Sequence, residues 1–172
     1  MRHQPNRALK LCAYGLTLLA VFLLQSSRGT AMTIWGMGLD LIPFFVTALA
    51  LFEGPYTAGW FGFAAGFLSV IATPMVDGLM SLFYGVLGLL CGLFAANYMR
   101  PVLPGALLLG AIVAVLKGLI GQVFYYGLVY SFPLVSGVLH ILGGVVLSLA
   151  PAAVLYFWVR ALNRRFAERE EL

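Results

Sequence analysis

The sequence predicts an all-α transmembrane protein, a six-helix bundle with both termini in the cytoplasm. Three observations point to it. Of 172 residues, 62% are hydrophobic and 9% charged, with a mean hydropathy of +1.00, whereas an ordinary globular domain has about a quarter of its residues charged. The apolar runs are continuous over helix-length stretches and do not alternate, which argues against barrel strands. The basic residues gather at the chain ends and in one turn. A disordered chain, a soluble enzyme domain and a disulfide scaffold are all excluded by this composition.

A helix needs about 20 apolar residues to cross the hydrocarbon core. Breaking the chain at charges and at Pro, Gly and polar punctuation gives six spans in one domain, 1–172: 8–24, 37–52, 56–71, 76–99, 102–130 and 134–159. The first three are short, so their ends extend into the interface. The fifth is long, so it tilts, kinks near Gly118–Gly121 or protrudes. Prolines at the tight connections (Pro55, Pro101, Pro133) mark where helices stop or start. Only 25–34 forms a loop of any length.

Orientation follows from the basic residues. With the N-terminus inside, Arg2, Arg7, Lys10, Arg100, Arg160, Arg164, Arg165 and Arg169 lie on the cytoplasmic side, Arg28 lies outside and Lys117 falls within a span. Tyr56, Trp60, Tyr98 and Trp158 then fall near the inner face, and Trp35 and Tyr130 near the outer. A cleaved signal peptide is the rival reading of the start, and Arg28 just before the candidate site disfavours it. Cys12 and Cys91 face a reducing compartment, so no disulfide is expected, and with no His or Cys at metal spacing neither is a zinc site, nor is any cofactor implied.

Small residues recur at every fourth position. Ala58, Gly62 and Gly66 do so on the third span, Gly88, Gly92 and Ala96 on the fourth, Gly110, Ala114 and Gly118 on the fifth, and Gly144, Ser148 and Ala152 on the sixth. Each series makes a smooth face for close helix packing, the main source of cohesion between helices in lipid. Packing within one bundle accounts for these faces. A dimer is allowed by them but not indicated.

Ionisable groups in a membrane core are costly and need a partner or water. Asp40 lies 13 residues before Glu53, roughly 20 Å from the inner boundary, and Lys117 lies 15 residues after Val102, roughly 22 Å from it. The matched depths predict an Asp40–Lys117 pair. Glu53 is expected to meet Arg100 or a C-terminal arginine at the interface, and Asp77 to cap the fourth helix. Ser136 and His140, four apart, are polar candidates for an outer cavity. A serine nucleophile in an intramembrane protease sits in Gly-x-Ser-Gly, and here Leu134-Val135-Ser136-Gly137 lacks the first glycine. No His-Glu-x-x-His, aspartyl pair, Asp-rich motif or phosphate loop is present, so no enzymatic activity is expected. The basic tail suits anionic lipid headgroups, not nucleic acid.

From the second span onward the order of motifs resembles a known family. Gly38-Leu39-Asp40-Leu41 opens that span, Glu53-Gly54-Pro55 closes it, and Gly59-x-x-Gly62-Phe63-x-x-Gly66 follows. This series resembles MreD, the small membrane subunit of the bacterial rod-shape machinery. Gly38 replaces the family's usual Pro, and Val70 stands where an Asp is typical. The resemblance implies a non-enzymatic scaffold in the bacterial inner membrane. Its partners would be an MreC-like protein and, through it, the MreB filament, RodA and a transpeptidase in lateral peptidoglycan synthesis. It also implies a fold like that of the S components of energy-coupling-factor transporters. A substrate-binding S component is therefore the alternative, with Asp40, Lys117 and His140 in a vitamin pocket. Such proteins dock through Ala-x-x-x-Ala on the first helix, which this chain lacks.

Overall fold

The computed structural model describes residues 5–26, 33–34, 37–72, 79–98, 101–122 and 134–167. Among these are six helices: α1 Pro5–Ser26, α2 Ile42–Glu53, α3 Pro55–Ala72, α4 Leu79–Tyr98, α5 Leu103–Gly121 and α6 Leu134–Ala167. Between α1 and α2, β1 (Thr33–Ile34) and β2 (Met37–Gly38) pair in a two-residue antiparallel ladder. Among the described residues, four stretches are long and apolar enough to cross a membrane: Ala8–Ser26, Ser81–Tyr98, Leu103–Gly121 and Gly137–Phe166. Their length and composition make the chain a membrane protein.

The shortest helix is the centre of the bundle. Ile42 through Ala50 of α2 are buried on every side, as expected for a helix that is apolar all round. α2 packs against α3, α4, α5 and α6. Its 12 residues cover about 18 Å, and it starts at Ile42 instead of the expected residue 37. Pro43 in its first turn explains this: proline suits a helix start, where its missing N–H is no loss. Gly54 ends α2 with φ +83° and ψ −179°, a region open essentially to glycine alone. Pro55 begins α3 immediately afterwards, and Ala58 N–H bonds Gly54 O at 3.2 Å. One residue thus turns the chain between two antiparallel helices.

α5 is described from Leu103 to Gly121, and 123–130 of the expected fifth span lie outside the described residues. One other boundary differs from expectation. α6 continues to Ala167, past residue 159, and carries Arg160, Arg164 and Arg165 on its last turns. A helix leaving the membrane needs no apolar residues to continue, so the apolar run underestimates it.

The small-residue faces set the spacing between helices. Ala58, Gly62 and Gly66 of α3 and Gly88 and Gly92 of α4 are all buried. A Cβ added at Gly62 would lie 2.2 Å from Tyr84 O, at Gly88 2.4 Å from Ala58 O, and at Gly92 2.3 Å from Pro55 Cα. α3 and α4 therefore touch backbone to backbone. Gly110 lies against the Phe44 ring, and Gly118 against Ile141. Ala114, Ser148 and Ala152 are buried as well. Ala96 departs from its series and is exposed, because the face of α4 it shares with Gly92 outruns α3 there. α1 is peripheral, with Tyr14, Leu18 and Val21 as its buried side chains. Tyr56, Trp60, Tyr98 and Trp158 are all exposed, in keeping with one aromatic belt; Trp35 and Tyr130 lie outside the described residues.

Candidate functional site

Two polar clusters occupy opposite ends of α2. The first surrounds Asp40, which stands just before the helix in the non-helical segment Leu39–Leu41. Non-helical backbone at membrane depth is tolerated only where protein satisfies its polar groups, and here it does. Asp40 N–H donates to Ser148 Oγ at 2.9 Å, and Gln25 Nε2 donates to Leu39 O at 2.9 Å and to Asp40 Oδ1 at 3.3 Å. Lys117 of α5 forms a salt bridge with Asp40 Oδ2. Its ammonium also sits 5.7 Å from the Tyr84 ring centroid, within cation–π range. Asp40 thus ties the start of α2 to α1, α5 and α6 at once.

Beside this pair is a cavity of about 140 Å³ lined by Asp40, Lys117, His140 and residues of α5 and α6, Gly144 among them. At about 30 Å³ per water it has room for roughly four. His140 is exposed and lines this cavity. Ser136 falls on the first turn of α6 with its side chain outside the described residues, so the Ser136–His140 reading has no geometry here.

The second cluster adds a partner that the sequence did not suggest. Glu53, at the end of α2, meets Lys10 of α1, and among the described residues no C-terminal arginine pairs with it. Lys10 Nζ lies 2.6 Å from Glu53 Oε1, and Tyr14 Oη donates to the same oxygen at 2.9 Å. Lys10 also donates to Asn163 Oδ1 at 2.9 Å, which sets the start of α1 beside the end of α6. Lys10 and Tyr14 are four residues apart, so α1 presents both to one carboxylate. Arg100 and Asp77 lie outside the described residues. Since the Lys10 and Glu53 side chains are 15% and 16% exposed, Glu53→Gln is expected to destabilise the protein by about 1–2 kcal/mol. That value lies between exposed and fully buried ion pairs. Detergent-denaturation midpoints would measure it, and an unchanged midpoint would contradict it.

Sequence reasoning missed Gln25, Ser148, Tyr14 and Asn163. Ser148 was legible as a small residue in a packing series, but its hydroxyl is what accepts the Asp40 N–H while donating to Gly144 O at 2.7 Å. Among the described residues no three His, Cys, Asp or Glu side chains converge as a metal site requires. Cys12 is exposed and Cys91 buried, both as free thiols. In comparisons with known proteins, no family model, no curated protein and no solved structure matches the chain.

Proposed function

We propose that this chain is a non-enzymatic scaffold subunit of the MreD type. It crosses the bacterial inner membrane six times with both termini in the cytoplasm and binds an MreC-like protein. Through that partner it is linked to MreB, RodA and a transpeptidase during lateral peptidoglycan synthesis. The observation that carries the reading over an S component is the size and state of the outer cavity. Pockets for small organic ligands measure about 300–1,000 Å³, and the space beside Asp40 and Lys117 is about 140 Å³. The charges there neutralise one another, and Asp40 is further held by Gln25 and Ser148. The motif order described above supports the family, and the basic ends support the orientation.

Co-expression of the full chain with the MreC-like protein of the same genome, followed by capture from detergent, is expected to recover the two together. A panel of B vitamins is expected to leave its thermal midpoint unchanged. A vitamin that raises the midpoint and co-purifies with the chain would overturn the scaffold in favour of the transporter subunit.

A further inference from the structure

The two ends of the bundle satisfy their polar groups differently. Among the described residues, four buried side-chain atoms have no hydrogen-bond partner: Gln25 Oε1, Ser81 Oγ, Tyr84 Oη and Gln122 Nε2. All four belong to the end at which α2 starts. Gln25 donates to Asp40 through its amide nitrogen, and the Tyr84 ring lies beside the Lys117 ammonium. Ser81 precedes Tyr84 by one turn of α4, and Gln122 lies against Gly137, three residues before His140. Ser81, Tyr84 and Gln122 are only 3%, 0% and 8% exposed. At the opposite end the buried hydroxyls are paired: Tyr14 Oη donates to Glu53, and Tyr156 Oη to Pro101 O at 2.8 Å.

The short central helix accounts for the difference. α2 covers about 18 Å of a hydrocarbon core about 30 Å thick. For the remaining stretch no apolar helix fills the middle of the bundle at this end. The cavity of about 140 Å³ between Asp40, Lys117 and His140 lies there. Cavities stay empty when their walls are apolar, whereas a carboxylate, an ammonium and an imidazole hold water. Water is also the usual partner of buried polar atoms that protein leaves unpaired. Bulk water is close on this side. Asp40 and Lys117 lie roughly 20 and 22 Å from the other boundary, which leaves about 8–10 Å to this one.

We infer that this end of the bundle is a water-filled vestibule, in which a chain of water molecules joins the Asp40–Lys117 pair to the membrane face nearest the start of α2. The pair is then in contact with an aqueous phase and is not sealed in the protein. The inference is independent of the scaffold reading and of which face is outside. Its probe is the silver ion, a small cation that reaches thiols only through water. The full-length chain, with Cys12→Ser and Cys91→Ala, carries one new cysteine at a time in phosphatidylcholine nanodiscs, and the thiol surviving silver is counted with maleimide after denaturation. Three consecutive residues of α5 face three surroundings: Ile112 is exposed on the lipid side, Val113 is buried in the apolar core, and Ala114 lines the cavity. A thiol ionises in water but not in lipid or a dry core, so Ala114→Cys is expected to react about tenfold or more faster than Val113→Cys and Ile112→Cys. On α6, His140→Cys is expected to outpace its exposed neighbour Leu139→Cys in the same way. These two positions are exposed, so the comparison survives if a buried cysteine unfolds the chain. Leu109→Cys, buried in α5 farther from this face, is expected to stay as slow as Val113→Cys. Equal rates at 139 and 140, or at 113 and 114, would overturn the vestibule. A Leu109→Cys as fast as Ala114→Cys would overturn its opening on this face.

Discussion

Lys117→Met is expected to destabilise the protein by about 3 kcal/mol, read as a lowered midpoint in detergent denaturation. Removing one partner of a buried ion pair leaves an uncompensated charge, at a cost of about 3–5 kcal/mol. The lower end applies here, because the Lys117 and Asp40 side chains keep 29% and 24% exposure, some of it to the small cavity. Among the described residues, the stranded Asp40 carboxylate would retain only the Gln25 amide at 3.3 Å. The double variant Asp40→Asn/Lys117→Met is expected to recover most of the loss. The neutral amide that replaces the carboxylate needs no counter-ion and can still accept from Gln25, and the backbone bond to Ser148 is untouched. If the pair serves only to hold α2 in place, the double variant is also expected to match the unaltered chain in the proposed co-capture with an MreC-like protein. A double variant as unstable as Lys117→Met alone would show that the charges do more than neutralise each other.

Gly62→Ala is expected to cost about 3 kcal/mol, a large effect for one methyl group. The new Cβ would lie 2.2 Å from Tyr84 O and 2.9 Å from its carbonyl carbon. Both are backbone atoms, so no rotamer change can relieve the clash, and α3 must move away from α4. Overpacking typically costs about 1–3 kcal/mol, and a clash against backbone belongs at the top of that range. Gly15→Ala is the control. Its Cβ would meet nothing within 4 Å, and alanine is favoured over glycine within a helix by about 0.5–1 kcal/mol. That variant is expected to be neutral or slightly stabilised. Equal midpoints for the two variants would mean that α3 and α4 do not pack backbone to backbone.

The two cases differ in how much the sequence reveals. Asp40 and Lys117 could be matched because charges are so rare in this chain that depth alone left few combinations. Glu53 could not be assigned in the same way. Several basic residues fall at its level, and it is the packing of α1 beside α2 that brings Lys10 to it. Gln25 carried no signal and Ser148 only that of a small packing residue, since an uncharged polar side chain shows neither its depth nor its partner. Gly62 and Gly88 were legible as packing positions from their fourfold spacing, but not as the sites where one helix meets the carbonyl oxygens of the other.

Composition and pattern were enough to settle the solvent and the number of helices, because burial in lipid demands long apolar runs whatever their neighbours. They also settled the small-residue faces, since close packing in lipid needs them. Which helix sits at the centre came only from the packing in three dimensions. α2 is one of the shortest apolar runs and was expected to be an ordinary span, yet it is enclosed on all sides. A helix surrounded by protein need not reach across the bilayer, so its length is set by its neighbours and by Pro43 and Gly54 at its ends. The same enclosure turns Asp40 from one half of an expected ion pair into the residue where four helices are joined.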